Sequence, residues 1–196
     1  MAYHIGLDLG QASDYTAIAI VEKTGEHGDT GAPLNVRHLQ RYPLGTTYPA
    51  IVEAVAGIVS RLPDGARLAV DATGVGRPVV DLLRTAGLRP IAVTVTGGDT
   101  ATNEGTNWKI PKRELVTGVQ VALQQGRLRI ARALPEAETL IRELTNYKVT
   151  ISDTGHDSYG AWRESDHDDL VFAVGLAVWS AGRERRHYAV VGRRDW

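Results

Sequence analysis

Apolar and polar residues alternate from the start of the chain, with Ile5, Leu7 and Leu9 in one run and Ile18 and Ile20 in the next. A period of two marks strands with one face buried, and the turn residues Gly10 to Asp14 between the runs make the pair a hairpin. Gly25 to Pro33 is a second turn, followed by an extended run near Asn35 to Tyr42, so three antiparallel strands are expected to open the fold. The period then changes. Ile51, Val55, Ile58, Val59 and Leu62 recur at helical spacing until Pro63-Asp64-Gly65 ends them.

From there strands and helices alternate. The run Leu68-Ala69-Val70 stops at Asp71, a helix is expected from Gly76 to Ala86 with Gly87 at its end, and Pro90 to Val95 reads as another strand. Strand, helix, strand at this spacing is a crossover unit, which makes its two strands parallel. Gly97 to Asn107 is polar and without period, and reads as a mobile loop. A helix over Pro111 to Gln125 presents Leu115, Val119, Ala122 and Leu123 on one face, and Pro135 opens another that carries Leu140, Ile141 and Leu144. Tyr147 to Ile151 and Tyr159 to Trp162 flank a turn and form a second hairpin. The last helix begins near His167-Asp168-Asp169. Leu170, Val171, Phe172, Val174, Leu176, Ala177 and Val178 make it apolar nearly all round, which places it deep in the core. The expected class is α/β, a mixed sheet of three antiparallel strands followed by parallel ones, flanked by helices.

Composition narrows the function. The 196 residues, 43% hydrophobic and 23% charged, suit one globular domain, and no stretch approaches the ~20 apolar residues of a bilayer span. No basic region precedes a long apolar run at the N-terminus, so the expected compartment is the cytoplasm. With no cysteine, disulfides, thiolate metal sites and cysteine nucleophiles are excluded, and any metal sits on oxygen or imidazole. Twenty-two Lys and Arg against 23 Asp and Glu leave a net charge of -1, so a polyanion is attracted only by local patches. Lys109, Lys112 and Arg113 form one such patch; Arg183, Arg185, Arg186, Arg193 and Arg194 form another, which also reads as a solvated tail.

Three acid sites, distant along the chain, border hydrophobic elements. Asp8 interrupts the first strand, Asp71 follows directly on Leu68-Ala69-Val70, and Asp168-Asp169 stand at the start of the apolar last helix. Each alone suits a turn or a helix cap. Together they repel unless a cation gathers them, and hard ions such as Mg²⁺ or Mn²⁺ prefer carboxylate oxygen. Two such ions about 3.5–4 Å apart activate a water and stabilise a leaving oxygen in phosphodiester hydrolysis.

The segments Ile5-Gly6-Leu7-Asp8-Leu9-Gly10, Val70-Asp71-Ala72-Thr73-Gly74-Val75-Gly76, Lys112-Arg113-Glu114-Leu115-Val116 and His167-Asp168-Asp169-Leu170-Val171-Phe172-Ala173 resemble the nuclease domain of tailed-bacteriophage large terminases. That domain is ribonuclease H-like, nearer to Holliday-junction resolvases than to ribonuclease H. The resemblance covers residues 3 to 182. It implies a nuclease domain over 1–182 and a basic C-terminal tail over 183–196. It further implies Asp8, Asp71, Asp168 and Asp169 as catalytic metal ligands for one or two Mg²⁺ or Mn²⁺ ions. Asp14 and Asp166 are outer-ligand candidates, and His167 either binds metal, orients water or caps. Lys112 reads as a contact to phosphate or to the metal-site carboxylates, and Lys109, Lys112 and Arg113 as DNA contacts. The implied substrate is double-stranded DNA, cut with little sequence preference during genome packaging in the host cytoplasm. The ATPase domain, the portal and the small terminase are the implied partners, and the isolated domain is expected to be a monomer without membrane contact.

No G-x-x-x-x-G-K-[ST] loop occurs, so translocation is not expected of this chain, which reads as an excised C-terminal domain rather than a free-standing relative. Gly74-Val75-Gly76 reads as a tight strand-to-helix connection, and Trp108, Trp162 and Trp179 as packing residues. Three other readings stay open: a junction resolvase, half of an actin-like or sugar-kinase ATPase, and a packaging or portal-docking module without activity.

Overall fold

The computed structural model describes residues 1–10, 14–26, 28–63, 65–74, 76–151, 157–161 and 168–183. Strands β1 (Ala2–Asp8), β2 (Ala17–Lys23) and β3 (Leu34–Arg41) form the expected antiparallel meander. Helix α1 (Tyr48–Val59) follows, with Pro49 in its first turn, where a missing N–H costs no hydrogen bond. Then come β4 (Arg67–Asp71), α2 (Gly76–Thr85) and β5 (Pro90–Thr96), the right number of residues for a parallel crossover, and β4 pairs in parallel with both β1 and β5.

The segment read as a mobile loop is ordered differently. Its second half makes β6 (Thr102–Glu104) and the start of β7 (Asn107–Pro111), an antiparallel pair turning at Gly105, whose φ of 62° suits a residue without Cβ. Strand β7 adds parallel to β5 and runs straight into α3 (Lys112–Gln124). After α3 the three residues of β8 (Leu128–Ile130) join β3 in parallel. The full sheet has eight strands in the order β6-β7-β5-β4-β1-β2-β3-β8. Helix α4 (Ala137–Asn146) leads into a separate pair, β9 (Tyr147–Ile151) and β10 (Asp157–Ala161), and α5 (Asp169–Gly182) ends the described chain.

Period-two patterning divides the core between the two faces. Ile5, Leu7, Ile18, Leu68 and Val70 pack on Ile51 and Val55 of α1 and on Val79, Val80 and Leu83 of α2. The opposite face carries Ala17, Ala19, Val21 and Ala69, covered by α5 with α3 and α4 beside it. Every α5 residue from Asp169 to Ala181 is buried, as its unbroken apolar pattern requires.

Candidate functional site

Alternation along β1 sends Ile5 and Leu7 to the α1 and α2 side, so Gly6 and Asp8 face α5. Leu7 pairs with Val70 in the parallel register, which sets Asp8 beside Asp71 at the ends of neighbouring strands, about 4.8 Å apart in the pairing direction. Helix α5 lies directly on β1. A Cβ at Gly6 would stand 1.9 Å from the Ala173 carbonyl oxygen, so glycine is needed there for the approach. At the other end of α5, His4 Nδ1 and Ser180 Oγ lie 3.1 Å apart, and Lys23 Nζ donates to the Ala181 carbonyl at 3.1 Å. The helix therefore runs antiparallel to β1, and its start, with Asp168 at the N-cap and Asp169 as first helical residue, arrives at Asp8.

Burial raises the Asp8 carboxyl well above its ordinary pKa, and the negative charges of Asp71, Asp169, Asp168 and Glu143 push it further. Burial raises Asp71 as well, opposed by hydrogen bonding to Thr73, whose N–H donates to Oδ1 at 2.8 Å, and by the charge of Lys112. Lys112 opens α3, with Nζ 3.9 Å from Asp168 Oδ2 and 4.6 Å from the centre of the Phe172 ring. Glu143 of α4 is pushed up to about 7, chiefly by burial, although it accepts the N–H groups of Val171 and Leu170.

Five carboxylates from four elements thus gather at the C-terminal ends of the central strands β1 and β4. An all-oxygen donor set of this charge suits a hard divalent cation and disfavours softer metals. Among the described residues, no three His, Asp or Glu side chains stand close enough together to hold an ion as they are, so the acids surround the site without converging on a single point. The donor chemistry, carboxylate oxygens only, fits a divalent ion.

Residues 5–180 match the model of the terminase RNase H-like domain family. The chain belongs to this family. No curated protein matches the sequence. Among solved structures, the fold is similar to the large terminase nuclease of thermophilic phage G20c with bound magnesium, at TM-score 0.68 and 21% identity over 91% of this chain and 80% of that one. It is also similar to a mutant nuclease domain of the large terminase subunit of bacterial virus Sf6 with manganese, at TM-score 0.63 and 15% identity over 91% and 88%. The large terminase of bacteriophage HK97 is a third, at TM-score 0.57 and 15% identity, where 91% of this chain covers 39% of the other.

In this terminase RNase H-like domain the fold brings together Asp8, Asp71, Asp168, Asp169 and Lys112. Asp14 is exposed in the β1–β2 connection and is not among the charges acting on Asp8. Asp166 and His167 lie outside the described residues, as do Trp162, Arg185, Arg186, Arg193 and Arg194. The basic patch of three does not stay together. Lys112 turns to the acids, Arg113 pairs with Asp99 at 3.0 Å, and Lys109 lines a cleft of about 450 Å³ with Arg77 and Arg84 of α2. Arg183, grouped with the tail on sequence, is half-buried: it pairs with Glu114 and covers the rings of Trp108 and Trp179, which meet edge to face at 5.3 Å. The two tryptophans are packing residues, and Gly74 (φ 63°) belongs to a tight connection in which a Cβ on Gly76 would strike the Asp71 carbonyl.

Sequence reasoning missed Glu143. It noted only Leu140, Ile141 and Leu144 on this helix; in the structure Ala137, Leu140 and Glu143 are buried and Ile141 is 46% exposed. The signal was present as a carboxylate at i+3 from Leu140, which makes it that residue's neighbour on the helix surface.

Proposed function

We propose that this chain is the metal-dependent nuclease part of a viral large terminase, an endonuclease that hydrolyses phosphodiesters of double-stranded DNA during genome packaging. One observation carries the reading: within a terminase RNase H-like domain, Asp8 and Asp71 end adjacent parallel strands opposite the helix start that bears Asp168 and Asp169. Asp8, Asp71, Asp168 and Asp169 would hold one or two Mg²⁺ or Mn²⁺ ions, and neighbours of the same fold carry magnesium, cobalt or manganese. Bound there, the ions supply an activated water and charge neutralisation at the scissile phosphate.

The protein's own part is placement. Strand pairing holds Asp8 and Asp71 at a fixed separation, the Thr73 N–H orients the Asp71 carboxylate, and the Gly6 contact sets the depth of α5. Lys112 stands beside Asp168, where its charge restrains the acids and meets an incoming phosphate. The domain spans 1–182 and the basic segment 183–196 follows it. An ATPase motor delivers the DNA, with portal and small terminase as further partners, in the host cytoplasm. Among the described residues no helix is long and apolar enough to cross a membrane.

The test is supercoiled plasmid incubated with EDTA, Mg²⁺ or Mn²⁺. The chain is expected to nick and linearise it with metal only, and Asp71→Asn to abolish cutting. Cleavage that persists in Asp71→Asn overturns the assignment, and preference for a four-way junction over linear duplex replaces it with a resolvase.

A further inference from the structure

Helix α5 brings two acids to the site, yet the one at its N-cap does not cap it with its side chain. Asp168 occupies the N-cap position and makes no side-chain capping hydrogen bond; its Oδ2 faces Lys112 Nζ at 3.9 Å. The first N–H groups of a helix have no partner within it and need one from outside when the helix start is buried. Phe172 N–H is served by the Asp168 carbonyl at 3.0 Å, the first bond of the helix itself. Leu170 and Val171 N–H are served by one oxygen, Glu143 Oε2 of α4, at 3.0 and 3.1 Å.

Glu143 is 7% exposed, and its other oxygen, Oε1, has no hydrogen-bond partner among the described residues. Arg41 at the end of β3 stands 3.9 Å from it. Arg41 is itself held by Glu136 at 3.7 Å and lies over the Tyr15 ring at 4.6 Å. A carboxylate buried this deeply, beside Asp169 and Asp8, costs stability unless its bonds to the helix start return it. Its two amide bonds and the positive end of the helix dipole offset part of that cost. They also fix where α5 begins.

We propose that Glu143 is a positioning residue of the metal centre: by capping α5 from the neighbouring helix, it sets the start of α5 and with it the placement of Asp168 and Asp169 at the ion. The inference rests on the metal-dependent reading above. Glu143 acts through α5, and what it supplies is an acceptor oxygen at the right reach, not a charge.

Two substitutions separate reach from charge. Glu143→Gln keeps an oxygen at the same distance and loses the charge; Glu143→Asp keeps the charge and falls one carbon short of the two amides. Mn²⁺ affinity is measured by calorimetry on the full chain, well below the lowest melting temperature of the set, with Leu144→Ala of the same helix as a destabilised control. Loss of an outer-shell support weakens metal binding by about 10–100-fold. Glu143→Asp is expected to weaken Mn²⁺ binding by about tenfold or more, Glu143→Gln to stay within about threefold of the parent, and Leu144→Ala to melt earlier with unchanged affinity. The opposite order, weak Gln and near-normal Asp, overturns the proposal by making the charge itself the contribution. Equal weakening in Leu144→Ala overturns it by reducing the effect to stability. A parent that shows no Mn²⁺ binding by calorimetry but still cuts only when metal is added removes the proposal alone, whereas a parent that cuts equally in EDTA, or that neither binds Mn²⁺ nor cuts, removes the metal-dependent reading and this inference with it.

Discussion

Asp8 is the residue on which the opposing forces are greatest. Its carboxyl is desolvated and faces the charges of Asp71, Asp169, Asp168 and Glu143, so its ionised form is disfavoured in the fold. At pH 7.5 in EDTA, Asp8→Asn removes this repulsion while preserving size. Its melting temperature is expected to exceed the parent's by about 2–4 °C, the shift that ~1 kcal/mol produces in a chain of this length. Saturating Mn²⁺ is expected to reverse the order, since an ion at 100 times its dissociation constant adds about 2.7 kcal/mol to a protein that binds it only when folded. A parent that melts higher than Asp8→Asn in EDTA contradicts the electrostatic account of the site. Glu22 behaves in the opposite sense. Hydrogen bonding from Arg37, at 2.8 Å from Nε with Nη2 at 2.6 Å, holds its carboxyl below the usual 4.5, and Tyr3 O–H adds a bond at 3.2 Å. A depressed folded pKa contributes stability that is present above the unfolded value and lost as pH falls through the folded one. Between pH 5 and pH 2.5 the parent is therefore expected to lose stability more steeply than Glu22→Gln; urea midpoints across that range measure the difference, and parallel curves refute it.

Among elements, α5 against β1 decides whether the site exists. Gly6 has no room for a methyl group, because its obstacle is the backbone oxygen of Ala173 rather than a side chain that can swing away. Gly6→Ala is expected to cost about 3 kcal/mol or more, the upper range for overpacking, and to weaken Mn²⁺ binding in whatever fraction still folds, since it lifts the start of α5 from Asp8. A melting temperature within about 2 °C of the parent's, read by thermal denaturation, rules out the close packing. This contact was legible in part: Ile5-Gly6-Leu7-Asp8 showed a strand with an acid on the face opposite Ile5 and Leu7, and the unbroken apolar run after Asp169 showed a buried helix, but not their distance. The parallel placement of β4 followed from the spacing of Val70, Pro78 and Val95. What escaped were elements whose cause is not periodic. The strand β8 spans three residues, too few for alternation to register, and exists because Leu128 finds Leu34 in the sheet. The strand β6, Thr102–Glu104, is exposed throughout and pairs with β7, so its polar sequence looked like a loop. Glu143 was missed because helical assignment ranks residues by hydrophobicity, and here a carboxylate takes an inward position that two amide donors make tolerable.

At the scale of the whole molecule, the distribution of charge limits what the domain does alone. Its net charge is -1, and the three basic residues adjacent in sequence point to an acid site, an ion pair and a cleft. Each phosphate neutralised by a lysine or arginine contributes about -0.9 to the slope of log affinity against log salt on duplex DNA. With Lys109, Lys112 and Arg113 dispersed and partly paired among the described residues, this surface should neutralise few phosphates at once. Binding to a short duplex is then expected to be weak and to show a salt slope shallower than about -4, with plasmid cutting that rises in proportion to protein concentration through the micromolar range. A tether to a partner that holds DNA would remove this limitation, because it converts encounter into an intramolecular step at an effective concentration near the millimolar range. Fusion of a sequence-neutral DNA-binding domain to either end is accordingly expected to raise the cutting rate at low protein concentration while leaving its dependence on Mn²⁺ unchanged. The isolated chain saturating on DNA at nanomolar concentration, with a steep salt slope, contradicts this division of labour and moves DNA capture onto the nuclease surface itself.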